Sequence, residues 1–263
     1  MKRLILLLTF LGFSSFVFGQ VKPLSLAHSH NDYDRGRPLK DAFANGFTSV
    51  EADILYIDGK LYVGHDLPNT PRHGLKRIKK QYLKPLYKRF KQNRGEIYKD
   101  YQGNFYLWID IKMEPQKAYA LLRKQLYPYR KMLTYFDNGK LHQGKVTVIL
   151  SGDRPFDKVL NDDLQLMTLD GRPADLEKNY PTELMPFISE HAGKVCQVKS
   201  YDEVDEAAIQ LIYRLAEKAD AQGKKVRLWA TPEDEKLWTI LKDAKVGLIN
   251  TDELERLRRF LEE

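Results

Sequence analysis

The sequence predicts an α/β fold in which eight parallel strands alternate with helices and close into a single (β/α)8 barrel of the TIM type. Three observations lead to this prediction. Short apolar runs alternate with segments of helical periodicity, which is typical of parallel strands joined by helical crossovers. Eight of these runs have the length of a strand. The 263-residue chain, without a short N-terminal leader, matches the ~250 residues of such barrels.

Each strand candidate is a short apolar run that ends in polar or turn-forming residues. In chain order the candidates are Leu24–His28, Thr48–Leu55, Phe105–Ile111, Lys145–Leu150, Leu164–Leu169, Pro186–Ser189, Lys225–Ala230 and Gly247–Asn250. A short hairpin strand, Leu61–Val63, follows the Asp58-Gly59 turn. Apolar residues at helical spacing predict helices at Pro38–Ala44, Pro115–Tyr127, Glu203–Ala221, Pro232–Asp243 and Asp252–Leu261.

The first 19 residues predict a secretory signal peptide. Lys2 and Arg3 precede an apolar run, Leu4–Phe18, and the small residue Gly19 stands at the expected cleavage position. We therefore expect residues 1–19 to be removed and residues 20–263 to form one exported barrel domain. The single cysteine, Cys196, excludes an intramolecular disulfide and predicts a small buried side chain.

Positive charge is concentrated in one segment. The chain has 43 Lys and Arg against 36 Asp and Glu, a net charge of +7. Ten of the basic residues lie between Arg72 and Arg94, where there is no acidic residue, so this segment accounts for the whole excess. Interleaved apolar residues predict an amphipathic helix or helical loop.

Two interpretations of the basic segment remain open. It is either a solvated cover of the barrel or a surface that attracts anionic phosphates or a lipid face, which would give peripheral membrane contact. Nucleic acid is not an expected partner, because no stacking motif or recognised nucleic-acid fold accompanies the charge.

The residues that bear chemistry cluster between Ala27 and Asp66. Imidazoles at His28, His30 and His65 surround the Glu51-x-Asp53 pair, and each group follows an apolar run. Histidine exchanges protons near neutral pH, so two histidines can act as base and acid in one turnover. Carboxylates two residues apart on a strand face the same side and can hold one cation. This combination suits the cleavage of a phosphate ester.

The motifs resemble those of a known superfamily. They read Ser-His-Asn-Asp-Tyr, Ser-Val-Glu-Ala-Asp-Ile, Asp-Gly and Val-Gly-His-Asp, followed later by Trp-Ile-Asp-Ile-Lys, Trp-Ala-Thr-Pro and Asn-Thr-Asp. The set is similar to the phosphatidylinositol-phospholipase-C-like and glycerophosphodiester phosphodiesterase superfamily, and especially to its altered inheritance of mitochondria protein 6 subgroup. The resemblance covers nearly all of the chain after the leader and implies a barrel-fold phosphoric diester hydrolase.

The resemblance also implies roles for individual residues. His30 and His65 would be the catalytic pair, although the Ala27-His28 step also matches the first histidine of the glycerophosphodiesterase branch. His30 is favoured because an oxygen ligand, Asn31, follows it directly. The implied ligands of a divalent cation are Asn31, Glu51, Asp53 and Asp110. Asp110 replaces a Glu that is usual in several branches, which shortens the reach of this ligand.

An oxygen-only ligand set predicts one hard cation, Ca²⁺ or Mg²⁺. Substrate contacts are expected from His28, from Lys112 on the same strand face as Asp110, and from Trp229 at a strand end. The substrate would be a small phosphodiester or a phospholipid. Pocket shape chooses among such substrates, so the sequence leaves the particular diester and the oligomeric state open.

Two other functions fit parts of the pattern. His28-x-His30 after a first strand is also found in amidohydrolase-like barrels, where His191 and Asp252 would complete a zinc site. That interpretation leaves Glu51 and Asp53 without a role. The second alternative is a non-catalytic surface protein that binds phosphorylated lipid or glycan, although the chain keeps a complete set of catalytic residue types.

Overall fold

The computed structural model describes residues 21–67, 74–196 and 204–263. The expected signal peptide, together with Arg72 of the basic segment, lies outside the described residues. Within the described part, no helix is both long enough and apolar enough to cross a membrane.

Eight parallel strands form a closed barrel, which confirms the predicted fold class. The hydrogen-bonded order is β1-β2-β4-β7-β9-β10-β11-β12, and β12 pairs with β1 to close the ring. The barrel strands are β1 (Leu24–Ser29), β2 (Phe47–Ile57), β4 (Phe105–Ile111), β7 (Val146–Gly152), β9 (Thr168–Gly171), β10 (Phe187–His191), β11 (Lys225–Trp229) and β12 (Leu248–Thr251). An antiparallel strand, β3 (Lys60–Val63), extends β2 as predicted.

Helices cover the outside of the barrel. They are α1 (Lys40–Ala44), α2 (Lys84–Gln92), α3 (Pro115–Leu126), α4 (Phe156–Leu160), α5 (Ala192–Cys196), α6 (Glu206–Asp220), α7 (Glu235–Asp243) and α8 (Leu254–Glu262). Asp205 and Asp234 begin α6 and α7, because each carboxylate accepts a hydrogen bond from a first-turn amide at 2.9 Å. A π-helical turn, Lys79–Leu83, leads into α2, so the basic segment is helical as expected.

The structure corrects one predicted strand. Leu164–Leu169 is not continuous, because β8 (Leu164–Gln165) pairs outside the barrel with β5 (Tyr135–Asp137). The barrel strand β9 begins only at Thr168. The mostly apolar pattern of residues 164–169 does not reveal where the chain changes its strand partner.

A small hairpin outside the barrel was not predicted. Strands β5 and β6 (Lys140–His142) are joined by Asn138 and Gly139, and both of these residues have positive φ angles. Asn-Gly is the preferred pair for such a two-residue turn, so the sequence does contain the signal for this hairpin.

The apolar core has two parts. The larger part fills the space between the barrel and its helices and includes Cys196, which is buried and unpaired as predicted. A separate cluster of Trp108, Ile149, Phe187 and Leu248 fills the barrel interior. Since the interior is closed below by these side chains, a cavity can open only at an end of the barrel.

Candidate active site

The carboxyl ends of the strands surround a cavity of about 530 Å³. Its lining consists of His30, Asn31, Glu51, Asp53, His65, Asp110, Ile111, Lys112, Ser151, Gly152, Asp153, Arg172, Arg227 and Trp229. Eight of the nine residues predicted for the site are among them, and His28 is the exception. The strand ends therefore bring together residues that are far apart in the sequence.

Three carboxylates meet at the mouth of the barrel. Glu51 and Asp53 lie on the same face of β2, and Asp53 stands directly opposite Asp110 in the β2–β4 register. One ligand atom from each of the three lies within 4.8 Å of the other two. Within residues 21–67, 74–196 and 204–263, this is the one such group of three or more His, Cys, Asp or Glu side chains.

Gly152 gives the Asp110 carboxylate its space. It pairs with Ile111 on the neighbouring strand and has a φ of +65°, a conformation that side-chain-bearing residues rarely adopt. A Cβ at this position would overlap the Asp110 carboxylate and lie 2.7 Å from the carbonyl oxygen of Ile111. Glycine is therefore required both by the backbone and by the acidic group beside it.

The rim carboxylates are incompletely neutralised. Lys112 Nζ lies 3.1 Å from Asp53 Oδ2 and 3.3 Å from Asp110 Oδ2. The other oxygen of each carboxylate, Oδ1, is buried without a hydrogen-bond partner among the described residues. Burial and the charge of Glu51 raise the pKa of Asp53 to about 6, and burial also raises the pKa of Asp110. A buried carboxylate oxygen without a partner can receive a further cation.

Glu51 lies deeper and is fully neutralised. Arg227 Nη2 donates to Glu51 Oε2 at 2.7 Å, its Nε donates to Asn250 at 3.1 Å, and its guanidinium lies 4.5 Å from the ring centroid of Trp108. Burial alone would raise the pKa of Glu51, but Arg227 and His28 outweigh burial and hold this pKa well below its usual range. Glu51 is therefore a charged carboxylate at neutral pH.

The structure corrects the expected substrate contact of His28. Its side chain is 0% exposed, lies under Glu51 with Nε2 3.3 Å from Oε2, and places Nδ1 2.7 Å from Ser49 Oγ. Burial and the charge of Arg227 lower the pKa of His28 to about 4, so the ring is neutral at neutral pH. In this arrangement His28 supports the carboxylate and does not reach the cavity.

His30 faces the cavity and is held by an acidic partner. Its Nδ1 lies 3.1 Å from Asp252 Oδ1, and Arg35 donates to the Asp252 carbonyl oxygen at 3.0 Å. Burial alone would lower the pKa of His30, but the hydrogen bond to Asp252 and the charge of Glu51 raise it above its ordinary value. This favours the protonated ring, which can donate a proton.

His65 reaches the same cavity from the exit of β3. Its side chain is 57% exposed, and its Nδ1 lies 3.1 Å from Asp66 Oδ1. The amide of Gly64, directly before it, donates to the carbonyl oxygen of Asp53 at 3.0 Å. Because of this bond, the backbone carrying His65 is tied to the strand that carries the acidic pair.

Asn31 lines one wall of the cavity, and Tyr33, which lines an adjacent hollow, supports it. The Tyr33 hydroxyl lies 3.0 Å from Asp53 Oδ2 and 3.3 Å from Asn31 Oδ1, so it links the expected amide ligand to the acidic cluster. Asp32 is buried between them and anchors the turn by accepting from the Leu39 amide at 2.6 Å and the Tyr82 hydroxyl at 2.7 Å. The helix predicted from Pro38 begins at Lys40 instead, because Leu39 has a φ of 65°.

The opposite wall carries a second cationic group. Asp170 is buried and accepts from Ser151 at 2.9 Å and from Arg172 at 2.7 Å. Arg172 also lines the cavity. The bond to Asp170 therefore fixes the Arg172 guanidinium at the rim. Arg172 was not among the residues predicted for the site.

The amidohydrolase-like zinc site is not assembled. His191 packs edge-on against Trp229, with ring centroids 4.7 Å apart, and its Nδ1 accepts from the Gly193 amide at 3.0 Å. Asp252 is bonded to His30, and His28 to Glu51. Trp229 lines the cavity, as expected for a substrate-facing wall.

Comparison with known proteins agrees with this geometry. Residues 16–166 match the AIM6-like phosphodiesterase domain. The altered inheritance of mitochondria protein 6 homolog of Arthroderma benhamiae is 28% identical over 262 residues, which cover 89% of this chain and 82% of that protein. The altered inheritance of mitochondria protein 6 of Lachancea thermotolerans is 30% identical over 288 residues, 88% of this chain and 64% of that protein.

The fold also recurs in a solved structure. A glycerophosphodiester phosphodiesterase from Parabacteroides distasonis superposes with a TM-score of 0.56 at 14% identity, covering 91% of this chain and 98% of that one. The barrel fold and the match to this family together indicate that the protein is a phosphodiesterase. The chain belongs to the AIM6-like phosphodiesterase domain family, which confirms the resemblance seen in its motifs.

Proposed function

We propose that the protein is a metal-dependent phosphoric diester hydrolase that acts on a glycerophosphodiester or phospholipid-type substrate with two histidines as acid and base. One observation carries this proposal. Three carboxylates and two histidines from separate strand ends line the same cavity, although up to 80 residues of sequence separate them.

The ligand set fits a hard divalent cation. Glu51, Asp53 and Asp110 would hold it, together with the amide oxygen of Asn31, and all four offer oxygen. The unpartnered Oδ1 atoms of Asp53 and Asp110 support this assignment, because each is a buried carboxylate oxygen that still has capacity for a cation. When bound, a Ca²⁺ or Mg²⁺ ion polarises a phosphoryl oxygen and stabilises the charge that develops in the transition state.

The two histidines have different surroundings that suit different roles. The hydrogen bond to Asp252 orients His30 and raises its pKa, so His30 would be the group that protonates the leaving alkoxide. His65 is more exposed, and it would remove the proton from the attacking hydroxyl or water. A pair of this kind can return to its starting protonation state once each turnover is complete.

Other lining residues would orient the substrate. Lys112 and Arg172 place cationic groups on the rim, where they would contact the phosphate oxygens. Trp229 offers an apolar wall for the alcohol part of the diester. These contacts support a phosphodiester as the substrate, and a panel of substrates would identify its alcohol.

The decisive experiment measures hydrolysis of bis(p-nitrophenyl) phosphate with and without chelation. EDTA should abolish the activity, and Mg²⁺ or Ca²⁺ should restore it better than Zn²⁺. The alternative outcomes are informative. Restoration by zinc alone, with Glu51→Gln and Asp53→Asn both harmless, would favour an amidohydrolase-like site. Tight binding of phospholipid without turnover in any metal would favour the non-catalytic alternative.

A further inference from the structure

A groove lined by basic residues lies outside the barrel, between α1 and the helical segment 79–92. It has a volume of about 440 Å³. Six cationic side chains line it: Arg37, Lys40, Lys76, Lys80, Lys88 and Arg89. No carboxylate belongs to its lining among the described residues. The groove is therefore strongly positive, and its charge comes from both walls.

The lysines of this groove are available to a ligand, whereas the arginines are engaged. Arg37 pairs with Asp41 at 2.7 Å. Arg89 donates to the Ile97 carbonyl oxygen at 2.6 Å and lies over the ring of Phe43, 4.2 Å from its centroid. Lys40, Lys76, Lys80 and Lys88 are exposed and make no ion pair with a carboxylate in the described ranges. Four uncompensated charges therefore face one opening.

The groove leads towards the candidate active site. Pro38, Lys76 and Gln81 line both the groove and an adjacent hollow of about 410 Å³. His65 lines that hollow and also the catalytic cavity. Groove, hollow and cavity are thus neighbours on one side of the molecule, so a surface that covers the groove also lies beside the catalytic cavity.

We propose that this groove binds the headgroup phosphates of anionic phospholipids and docks the protein on an anionic bilayer. Two features favour a bilayer. The four lysines come from both walls, which suits several headgroups better than one small anion. Between them lie Pro38 and Pro85, which offer apolar surface to the lipid interface. The proposal does not depend on hydrolysis, because docking uses residues outside the catalytic cavity.

The test measures sedimentation of the whole protein with vesicles, in EDTA so that lipid is not hydrolysed. Vesicles of phosphatidylcholine containing phosphatidylglycerol should bind the protein, and vesicles of phosphatidylcholine alone should not. Replacing Lys40, Lys76, Lys80 and Lys88 together with Gln should lower the partition coefficient at least ~50-fold. Binding by the parent protein should also weaken as salt rises, because the charges are screened.

A matched control removes the same charge elsewhere. Lys124, Lys131, Lys140 and Lys245 are exposed and line neither the groove nor the hollow. Their replacement with Gln should change binding by less than ~5-fold, close to the effect of one lysine. Replacing the four groove lysines with Arg should preserve binding, and circular dichroism should show that all variants are folded.

Three outcomes would overturn the proposal. The first is no binding to anionic vesicles. The second is an equal loss in the groove and control variants, which would mean that net charge and not the groove attracts the lipid. The third is groove-dependent binding of inorganic phosphate, measured by calorimetry, without vesicle binding. That result would make the groove a site for a soluble anion.

Discussion

The carboxylate on the floor of the cavity, Glu51, and the two on its rim, Asp53 and Asp110, have different environments. On the floor, Glu51 is bonded to Arg227 and His28, and both of these partners are buried. On the rim, Asp53 and Asp110 share one partly exposed lysine and each keeps an unpartnered oxygen. The pKa values diverge accordingly, because Arg227 lowers that of Glu51 while burial raises those of Asp53 and Asp110.

This difference suggests two roles: Glu51 fixes the geometry of the site, and Asp53 and Asp110 have capacity to bind a cation. The Glu51 charge is held by two buried partners, Arg227 and His28, so the floor fixes the geometry. A carboxylate with an unsatisfied oxygen gains a partner when a cation arrives, so the rim keeps capacity for binding. The two histidines that face the cavity also differ in exposure, since the side chain of His30 is 34% exposed and that of His65 is 57% exposed.

The largest expected effect comes from removing Arg227, the positive side chain that pairs with Glu51 on the floor of the cavity. Arg227→Gln leaves the Glu51 charge buried without its main partner, and we expect the free energy of unfolding to fall by about 3–5 kcal/mol. Lys112→Gln is the matched change on the rim. Because Lys112 is 23% exposed against 3% for Arg227, its loss should cost less than that of Arg227, about 2 kcal/mol or less.

Urea denaturation in EDTA measures both variants at pH 7. Equal losses in the two proteins would contradict the contrast between floor and rim. Such a result would mean that the Arg227–Glu51 bond contributes no more to stability than the partly exposed Lys112 does through its bonds to Asp53 and Asp110.

The second prediction tests the two histidines that face the cavity. His30→Ala and His65→Ala should each lower the turnover of bis(p-nitrophenyl) phosphate at least ~10²-fold, because each removes one proton-transfer group. Circular dichroism should be unchanged. His28→Ala should instead lower the free energy of unfolding, since it removes a buried partner of Glu51 and Ser49.

The same three variants discriminate between the possible first catalytic histidines. If His28→Ala abolishes turnover in a stably folded protein while His30→Ala is active, the proton-transfer role belongs to His28. Activity in both His30→Ala and His65→Ala would contradict two-histidine catalysis altogether.

The three carboxylates were more predictable from the sequence than the arginine that pairs with one of them. Glu51 and Asp53 are two residues apart on a strand, and Asp110 ends another strand, so strand periodicity alone brings them to one edge. Arg227 meets Glu51 across 176 residues of sequence, and its local pattern is that of a charged residue near a strand end. Only closure of the barrel brings the two together, because β11 and β2 are not neighbours in the sheet.

The need for a glycine at position 152 could not be predicted from the sequence either. Gly152 follows Ser151 at the end of β7, where a glycine usually indicates a turn. Its closeness to Asp110 depends on the pairing of β4 with β7, which the sequence does not reveal. The register of neighbouring strands, rather than the identity of single residues, was therefore the missing information.

The smallest expected effect concerns Asp162, a carboxylate outside the cavity that is paired on both of its oxygens. Asp162 accepts from the Tyr119 hydroxyl at 2.7 Å, from Arg123 at 2.9 Å and from the Leu164 amide at 3.0 Å. Burial would raise the pKa of Asp162, but these hydrogen bonds outweigh it and lower the pKa below its ordinary value. Asp162→Asn should reduce the free energy of unfolding by about 1–2 kcal/mol at pH 7.

The pH dependence of that loss follows from the direction of the shift. A carboxyl with a lowered pKa in the folded state contributes its full stability above the pKa of the unfolded chain, about 3.9, and loses it as pH falls through the folded value. The difference between parent and Asp162→Asn should therefore be constant from about pH 7 to pH 5 and shrink below about pH 4. Urea denaturation at a series of pH values measures it. A difference that grows on acidification would show that Asp162 is not stabilised as a carboxylate, and full pairing would then not explain the low pKa of Glu51 either.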